Sequence, residues 1–178
     1  MNLILFGFKN SGKTFLGKLL ALKLGRHFID TDAEIEKLYF QREKKAFTYH
    51  EIFQKKGEAQ FRSLEREIIF SLKNQTNAVI ALGGRAINEK NFSFLNQIGE
   101  LFYLKASFSL IAKRMQGKRL PAFVINEKEP LKAMQKLFHE REIFFQTLKA
   151  KELSADLLED PEKLNAAILQ LQKSYGSQ

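Results

Sequence analysis

The stretch Gly7–Thr14 (GFKNSGKT) fits the phosphate-loop pattern G-x-x-x-x-G-K-[ST] at every fixed position. The apolar run Asn2–Phe6 precedes it and predicts a buried parallel strand. After the loop, apolar residues recur at helical spacing, which predicts a helix that begins near Lys13 and ends by Gly25. A strand, a glycine-containing loop and a helix in this order are the local structure that a phosphate site requires.

The residue types of this loop suit phosphate binding. Glycines permit the backbone angles and close approach that let N–H groups point at an anion, and the next helix directs its positive dipole end there too. We expect Lys13 to reach the outer phosphates and the Thr14 hydroxyl to bind Mg²⁺. A plain strand-to-helix turn is the alternative, which the flanking strand and helix disfavour. The residues expected to bind the nucleoside triphosphate are Gly7, Asn10, Ser11, Gly12, Lys13, Thr14 and Phe15.

The composition is that of a globular protein with one domain, which we expect to span residues 1–178. Hydrophobic residues make up 44% and charged residues 28% of the chain, and both values are ordinary for this class. The absence of cysteine excludes disulfides and thiolate metal sites. No apolar run approaches the roughly 18 residues of a membrane span, and the first predicted strand follows Met1 directly. We therefore expect a cytoplasmic protein without a signal or transit peptide.

The formal net charge is +9, from 29 basic and 20 acidic side chains. Such an excess can indicate nucleic acid, an acidic membrane surface or a small anionic substrate as the partner. The lysines are dispersed over many helical segments, and no block of five basic residues occurs. We therefore expect solvated helix faces and a few arginines that bind a small anion, with neither nucleic acid nor a membrane as a partner. Nucleic-acid binding stays open as an alternative.

Two carboxylates follow the short apolar run Phe28-Ile29. In an open α/β sheet, ligands collect at the carboxyl ends of the strands, and a carboxylate beside a phosphate loop can hold Mg²⁺ directly or through water. We therefore expect Asp30 and Asp32 to be functional. The structural alternatives are a helix N-cap for Asp32 and a turn residue for Asp30, and capping is compatible with a functional role.

Further helices and strands alternate along the chain. A capping box, Thr48–Glu51, belongs to a helical segment that ends at Gly57, and His50 within it is expected to be a solvated helix residue without a catalytic role. The alternation predicts a three-layer α/β/α fold around a parallel sheet of about five strands. The remaining predicted elements are a helix over 58–74, a strand over 78–82 followed by Gly83-Gly84, a strand over 101–104, a helix over 108–115 capped by Ser107, a helix over 130–149, a final strand over 155–158 and a helix from Asp160-Pro161 to about 172.

Residues 116–121 (QGKRLP) lack apolar periodicity and combine two cations with a glycine and a proline. This composition suits a mobile lid over the phosphates, in which an arginine neutralises the charge that develops during phosphoryl transfer. We expect the lid to cover about 116–129. A surface loop with incidental charge is the alternative.

The pattern as a whole resembles the shikimate kinases, small monomeric members of the nucleoside-monophosphate-kinase group with the P-loop NTPase fold. The resemblance covers nearly the whole chain. It rests on the phosphate loop, the strand end 28–36 (FIDTDAEIE), the stretch 51–65 (EIFQKKGEAQFRSLE) and Gly83-Gly84. The F-x-D-x-D and G-E-x-x-F-R patterns, in this order after the loop, are far more specific than the loop itself.

The resemblance implies transfer of the γ-phosphate of ATP to the 3-hydroxyl of shikimate, on the route to chorismate and the aromatic amino acids. It implies that Thr14 and Asp30 hold the magnesium ion. Asp32 would hydrogen-bond the shikimate hydroxyls and accept the proton. Lys13 and the lid residue Arg119 would stabilise the transferring phosphoryl group and contact ATP.

The resemblance also implies how the two ligands are held. Arg62 and Arg141 would grip the substrate carboxylate, a planar bidentate task that suits guanidinium groups. The Gly83-Gly84 pair would present its backbone to the substrate, within a site formed largely by segment 32–62. Arg114 would pack on the adenine and bind ATP, with residues 159–161 near the opposite wall.

The sequence departs from the family pattern in three places. The usual third glycine is replaced in Gly83-Gly84-Arg85, where a side chain could crowd the substrate, point outward or add a contact. In the lid, Leu120 separates Arg119 from the proline that usually follows the arginine directly. The usual R-x-P-L-Y appears as Arg141–Phe145 (REIFF). Two alternatives therefore stay open: another small-metabolite P-loop kinase, and a non-catalytic nucleotide-binding paralogue.

Overall fold

A five-stranded sheet forms the centre of the computed structural model, which describes residues 1–116, 124 and 128–176. Its strands pair in the order β2-β3-β1-β4-β5, and each of the four pairings is parallel. The strands are β1 (Asn2–Phe6), β2 (His27–Asp30), β3 (Ala78–Ala81), β4 (Gly99–Lys105) and β5 (Lys151–Ser154).

Helices connect the strands, as parallel pairing requires. The described helices are α1 (Lys13–Leu24), α2 (Thr31–Glu43), α3 (Tyr49–Ser71), α4 (Phe92–Ile98), α5 (Phe108–Met115), α6 (Pro130–Thr147) and α7 (Pro161–Tyr175), with short 3-10 helices at Leu72–Asn74 and Ala155–Glu159. The predicted α/β fold with a central parallel sheet of about five strands is confirmed.

The two faces of β1 show how the sheet is covered. Successive side chains of a strand point to opposite faces. Leu3 and Leu5 join one apolar cluster with α1, α5 and α7, whereas Ile4 and Phe6 join another with α3 and α4. All four side chains are at most 1% exposed, as expected for a parallel sheet with helices on both faces. This packing fixes the carboxyl end of β1, where the phosphate loop begins.

A third apolar cluster joins α2 to α3 through residues such as Ile35 and Ile52. The start of α3 is the predicted capping box: Thr48 Oγ1 accepts from the Glu51 N–H at 3.3 Å, and Glu51 Oε2 accepts from the Thr48 N–H at 2.8 Å. Gly57 interrupts the helical conformation with φ 80° and ψ 169°, at the position where the sequence predicts a helix end. Helix α3 therefore consists of two helical parts, one before and one after a kink at Gly57.

The predicted final strand over 155–158 is wrong, because β5 covers Lys151–Ser154 and a 3-10 helix follows it. Ser154 Oγ accepts from the Asp156 N–H at 3.2 Å, and this cap turns the chain away from the sheet. β5 pairs only with β4 among the described strands, and three of its four side chains are exposed. An exposed edge strand carries no apolar run. The apolar residues of the buried turn that follows β5 were therefore predicted as the strand.

Two other details differ from the sequence prediction. The helix after β2 begins at Thr31, and its N-cap is Asp30, whose Oδ1 accepts from the Asp32 N–H at 3.0 Å. Asp32 itself is therefore in the first turn of α2, and the alternative that made it the N-cap is wrong. Helix α4 (Phe92–Ile98) had no counterpart in the prediction.

Ten of the 14 residues of the predicted lid, 116–129, lie outside the described residues, and Arg119 is one of them. Across the described ranges, none of the helices combines the length and the apolar character needed to cross a membrane.

Candidate active site

The phosphate loop joins β1 to α1 through residues with positive φ. Asn10 has φ 66° and Gly12 has φ 105°, and the angle at Gly12 is one that residues with a side chain rarely adopt, so this position favours glycine. Helix α1, which the structure describes throughout, begins at Lys13 without a side-chain cap and without an acidic residue in its first turn. Its first N–H groups and its dipole are therefore available to an anion.

The Lys13 ammonium is held by the loop itself. Its Nζ donates to Gly7 O and to Phe8 O, each at 3.0 Å, and the residue is only 8% exposed. Burial lowers the pKa of Lys13 to about 8, against the opposing effect of the Asp32 and Asp30 charges. A phosphate bound beside the ammonium would supply the counter-charge that two carbonyl groups supply only in part.

A cleft of about 570 Å³ lies in front of the loop. Its lining residues form two groups, which we name after the adjoining helices. The α5 end is lined by Gly12, Arg114, Leu158 and Glu159, and the α3 end is lined by Asp32, Tyr49, His50, Phe53, Phe61, Arg62, Glu65, Gly84 and Arg85. Lys13, Thr14 and Asp30 also line the cleft.

Thr14 and Asp30 lie in direct contact. The Thr14 hydroxyl donates to Asp30 Oδ2 at 2.8 Å. A hydroxyl and a carboxylate are oxygen ligands of the kind that Mg²⁺ prefers, together with water and substrate phosphates. No cluster of three or more His, Cys, Asp or Glu that could hold a metal ion occurs among the described residues. A magnesium ion at this pair would therefore depend on phosphate and water for its other ligands.

The Asp32 carboxylate packs against Gly83. A Cβ on Gly83 would lie 2.5 Å from Asp32 Oδ1, and the Gly83 N–H donates to Thr31 Oγ1 at 2.8 Å. Burial and the charge of Asp30 raise the pKa of Asp32 to about 6, although Lys13 opposes the shift. A carboxylate that titrates near this value is suited to accept a proton from a hydroxyl group at neutral pH.

At the α5 end, Arg114 ties the phosphate loop to the turn that follows β5. Its Nη1 donates to Ser11 O at 2.7 Å and to Asn10 O at 3.3 Å, and its Nη2 pairs with Glu159 Oε1 at 2.6 Å. The guanidinium group also lines the cleft. A planar cation held at its edge by these partners can present its face to an aromatic base.

At the α3 end, two arginines share one carboxylate. Arg62 pairs with Glu65 Oε2 at 2.7 Å and with Glu58 Oε1 at 3.4 Å, and Arg85 reaches the same Glu58 oxygen at 3.3 Å. Glu65 is only 5% exposed, so its charge depends on Arg62 for compensation. Arg85 thus lies on the cleft wall instead of pointing away from it.

The structure places Arg141 beside this cluster but not on the cleft surface. Its Nη2 donates to Ile87 O at 2.7 Å, and its guanidinium carbon lies 4.6 Å from the centre of the Phe145 ring. Its Nε is buried without a hydrogen-bond partner among the described residues. Burial and the charges of Arg85 and Arg62 lower the pKa of Arg141 to about 10.

Comparison with known proteins identifies the family. The family model described as "Shikimate kinase" matches residues 9–172. This chain belongs to the shikimate kinase family. A shikimate kinase of Alkaliphilus oremlandii is 37% identical to it over 147 residues, which are 82% of this chain and 83% of that protein.

Solved structures of shikimate kinases share the fold. The crystal structure of shikimate kinase from Bacteroides thetaiotaomicron is 29% identical and matches with a TM-score of 0.79, covering 97% of each chain. Shikimate kinase from Acinetobacter baumannii in complex with shikimate is also 29% identical and matches with a TM-score of 0.73, covering 93% of each chain.

In this member of the shikimate kinase family, the sequence did not reveal two cleft residues. Lys9 occupies a variable position of the loop pattern, and His50 was expected to be a solvated helix residue. The structure corrects this expectation, because both line the cleft and Lys9 Nζ lies 2.8 Å from His50 Nε2. The only sequence signal was a lysine inside a phosphate loop, since nothing in the pattern links positions 41 residues apart.

Proposed function

We propose that this chain transfers the γ-phosphoryl group of ATP to the 3-hydroxyl of shikimate in the cleft described above. ATP-dependent phosphorylation of shikimate is the reaction of the family to which the chain belongs, so the chain is a phosphotransferase. The observation that supports this site for the reaction is that six of the eight phosphate-loop residues, Lys13 and Thr14 among them, line one cleft together with Asp32. Phosphoryl transfer needs mainly positioning and charge neutralisation from a protein.

ATP binds, in this proposal, with its triphosphate in the phosphate loop and its base at the α5 end. The N–H groups at the start of α1 have no competing side-chain cap, so they can bind phosphate oxygens. Lys13 exchanges the carbonyls of Gly7 and Phe8 for the β- and γ-phosphates, which are stronger partners for an ammonium group. The Arg114 face covers one side of the adenine, and the turn at 159–161 covers the other.

Thr14 and Asp30 fit a magnesium ion, because both present oxygen atoms at the mouth of the phosphate loop. The ion would neutralise charge on the phosphate oxygens. The other carboxylate oxygen of Asp30, Oδ1, accepts from the Asp32 N–H at the start of α2, and this hydrogen bond holds the side chain in place. The hydrogen bond between Thr14 and Asp30 keeps the two oxygens together before the ion arrives.

Asp32 acts as the base in this proposal. The 3-hydroxyl oxygen of shikimate forms a bond to the γ-phosphorus, the bond from that phosphorus to the bridging oxygen breaks, and ADP leaves with the electron pair. The hydroxyl proton passes to an Asp32 carboxylate oxygen. The raised pKa of Asp32, about 6, makes this carboxylate a better proton acceptor than an ordinary aspartate.

The carboxylate of shikimate binds at the arginines of the α3 end. Arg62 presents its Nε and Nη2 to Glu58 Oε1 in the free protein, and a substrate carboxylate would take the same edge of the guanidinium in a bidentate pair. Arg85 would retain Glu58 when this exchange occurs. Arg141 supports the same end with its charge and would reach the substrate after a change of side-chain conformation.

The resemblance to the family supplies further parts of the proposal. We propose that segment 32–62 would form most of the shikimate site, that Gly83 and Gly84 would approach the substrate with their backbone, and that 116–129 would act as a lid from which Arg119 reaches the phosphates. A single domain over 1–178, a monomeric state, a cytoplasmic location and the absence of nucleic-acid and membrane partners stay predictions.

A coupled assay of ADP release from Mg-ATP, with and without shikimate, tests the proposed function. We expect ADP formation that depends on shikimate and saturates with it. The matched control is quinate, a closely related hydroxylated acid, which should support turnover less well if the α3 end discriminates its acceptor.

ATP binding without shikimate-dependent turnover would contradict the proposal. Because Arg85 adds a cation to the acceptor side of the cleft, that result would favour another hydroxylated acid as the acceptor. Turnover with such an acid would then define a different small-metabolite kinase on the same fold.

A further inference from the structure

The phosphate loop separates the two ends of the cleft, and its third residue contacts the α3 end. Lys9 Nζ lies 2.8 Å from His50 Nε2 and 5.2 Å from the centre of the Tyr49 ring. The carbonyls of the two residues that follow accept hydrogen bonds from Arg114, at the α5 end. Lys9 therefore belongs to the acceptor side of the loop.

The contact with His50 leaves donors of Lys9 available. An ammonium group has three N–H donors, and within the part of the chain that the structure describes, His50 is its one hydrogen-bond partner. The side chain is partly buried and lines the cleft. Since partly buried donors are normally satisfied, water or a ligand must take those that remain.

The surroundings of Lys9 indicate which ligand group this is. A Cβ on Gly84 would lie 3.1 Å from the Lys9 backbone N, so the loop packs directly on the glycine pair of the acceptor site. Burial lowers the pKa of Lys9 to about 8, and the negative charge of Asp32 opposes this shift. An oxygen between Lys9 and Asp32 would meet a donor on one side and an acceptor on the other, a pairing that a hydroxyl group satisfies.

We propose that Lys9 binds the acceptor, and that its ammonium donates a hydrogen bond to a ring-hydroxyl oxygen of shikimate. The inference rests on the proposed function and adds a contact to it. The site would then recognise a polyhydroxylated acid through its carboxylate at Arg62 and its hydroxyls at Lys9 and Asp32. His50 is a positioning residue: its neutral ring accepts from Lys9 at Nε2 and carries its own proton on Nδ1.

Phosphate binding is the competing role for a lysine in this loop. The contacts favour a role for Lys9 in shikimate binding, because Lys9 Nζ is held by residues of α3. Lys13 Nζ, in contrast, is held by carbonyl groups of the phosphate loop. The two roles have different kinetic signatures. A lost acceptor contact raises the KM for shikimate, and a lost phosphate contact raises the KM for ATP.

Steady-state kinetics of Lys9→Met test the inference, because methionine keeps the length of the side chain and removes its charge. We expect a KM for shikimate about tenfold higher, as for loss of a charge-assisted hydrogen bond, and a KM for ATP within about twofold of wild type. Lys18→Met is the matched control, since Lys18 is exposed on α1 and does not line the cleft. An unchanged KM for shikimate, or an equal rise in both KM values, would overturn the inference.

A second pair of variants applies if Lys9→Met fails to fold. His50→Gln keeps a hydrogen-bond acceptor for the Lys9 ammonium, so the KM for shikimate should stay within about twofold of wild type. His50→Leu removes that hydrogen-bond acceptor, so the KM for shikimate should rise about threefold. Equal KM values for the two variants would overturn the positioning role and the inference with it. A wild-type protein without shikimate-dependent turnover would instead overturn the proposed function, so the two failures are distinguishable.

Discussion

The two ends of the cleft are built from different parts of the chain. The α5 end is lined by Gly12, Leu158 and the ion pair of Arg114 with Glu159, and Arg114 holds the adjoining phosphate loop through the carbonyls of Asn10 and Ser11. The α3 end combines aromatic side chains with charged ones from separate elements, among them Asp32 and Arg62. The backbone groups of the phosphate loop suit any triphosphate, whereas the charged side chains at the α3 end are complementary to one acceptor. Acceptor specificity therefore depends on the α3 end.

Two charged groups in the cleft, Lys13 and Asp32, have shifted pKa values. Burial lowers the pKa of Lys13 to about 8 and, together with the charge of Asp30, raises that of Asp32 to about 6, so both groups are less firmly charged in the free protein than in water. Phosphate would restore the ammonium, and a bound hydroxyl would give Asp32 a proton donor. Ligand binding thus completes the charge complementarity between the site and its ligands.

Removal of Lys13 should have the largest effect. In Lys13→Ala we expect kcat to fall about 10³-fold, because the cation that faces the transferring phosphoryl group is lost. ADP release under saturating substrates measures this, with Lys23→Ala on the far end of α1 as the control. Retention of wild-type kcat would show that another group supplies this charge.

Asp32→Asn should reduce kcat about 10²-fold, because the amide keeps the shape of the carboxylate but cannot accept the proton. In wild type, kcat/KM for shikimate should fall as the pH drops through about 6, the pKa of Asp32. The variant should lack this acidic limb. The same limb in both proteins would assign it to another group.

The raised pKa of Asp32 also makes the stability of the folded protein depend on pH. The folded-state pKa of Asp32 is raised from 3.8 to about 6, so its neutral form favours the folded state. This contribution is full below pH 4 and is lost as the pH rises through about 6. Asp32→Asn should therefore raise the Tm at pH 7.5 relative to wild type, and the difference should shrink at pH 4.

Gly83→Ala tests whether the glycine positions Asp32. The new Cβ would lie 2.5 Å from Asp32 Oδ1, so the carboxylate must move, and we expect kcat to fall about tenfold with little change in the KM for ATP. Gly25→Ala is the control, because its Cβ would meet no atom within 4 Å. The control should lose about 1 kcal/mol of stability, from its positive φ, and no activity. Equal kinetics for both variants would contradict the positioning role.

Arg85→Gly, which restores the usual family residue, should have the smallest effect. Glu58 would then pair with Arg62 alone and compete with the substrate carboxylate, so we expect the KM for shikimate to rise about threefold, as befits exposed ion pairs. Adding Glu58→Gln should reverse the rise. A lower KM in Arg85→Gly would mean instead that Arg85 obstructs the substrate.

The sequence predicted the parts of the site that are local in the chain. The phosphate loop, the strand end with Asp30 and Asp32, and the capping box of α3 each arise from residues within a few positions of one another. Short-range geometry and hydrogen bonding determine such features, and a pattern of spacing is enough to identify them. The central sheet was predictable for a similar reason, because buried parallel strands are continuous apolar runs.

The remaining features depend on contacts between distant residues. Lys9 meets His50 across 41 positions, and Arg85 meets Glu58 only when the loop after β3 packs against α3. Neither pair leaves a periodic signal. β5 was misplaced because its exposed side chains carry no apolar run, and Ser154 ends it with a local cap. The sequence thus revealed the phosphate loop more fully than the α3 end.

Calorimetric titration of two variants tests the division of the cleft most directly. Arg114→Lys and Arg62→Lys each keep a positive charge and lose the planar guanidinium group. We expect Arg114→Lys to weaken ADP binding about tenfold with shikimate affinity unchanged, and Arg62→Lys to weaken shikimate binding about tenfold with ADP affinity unchanged. Equal loss of both ligands in either variant would contradict the division of the cleft into a nucleotide end and an acceptor end.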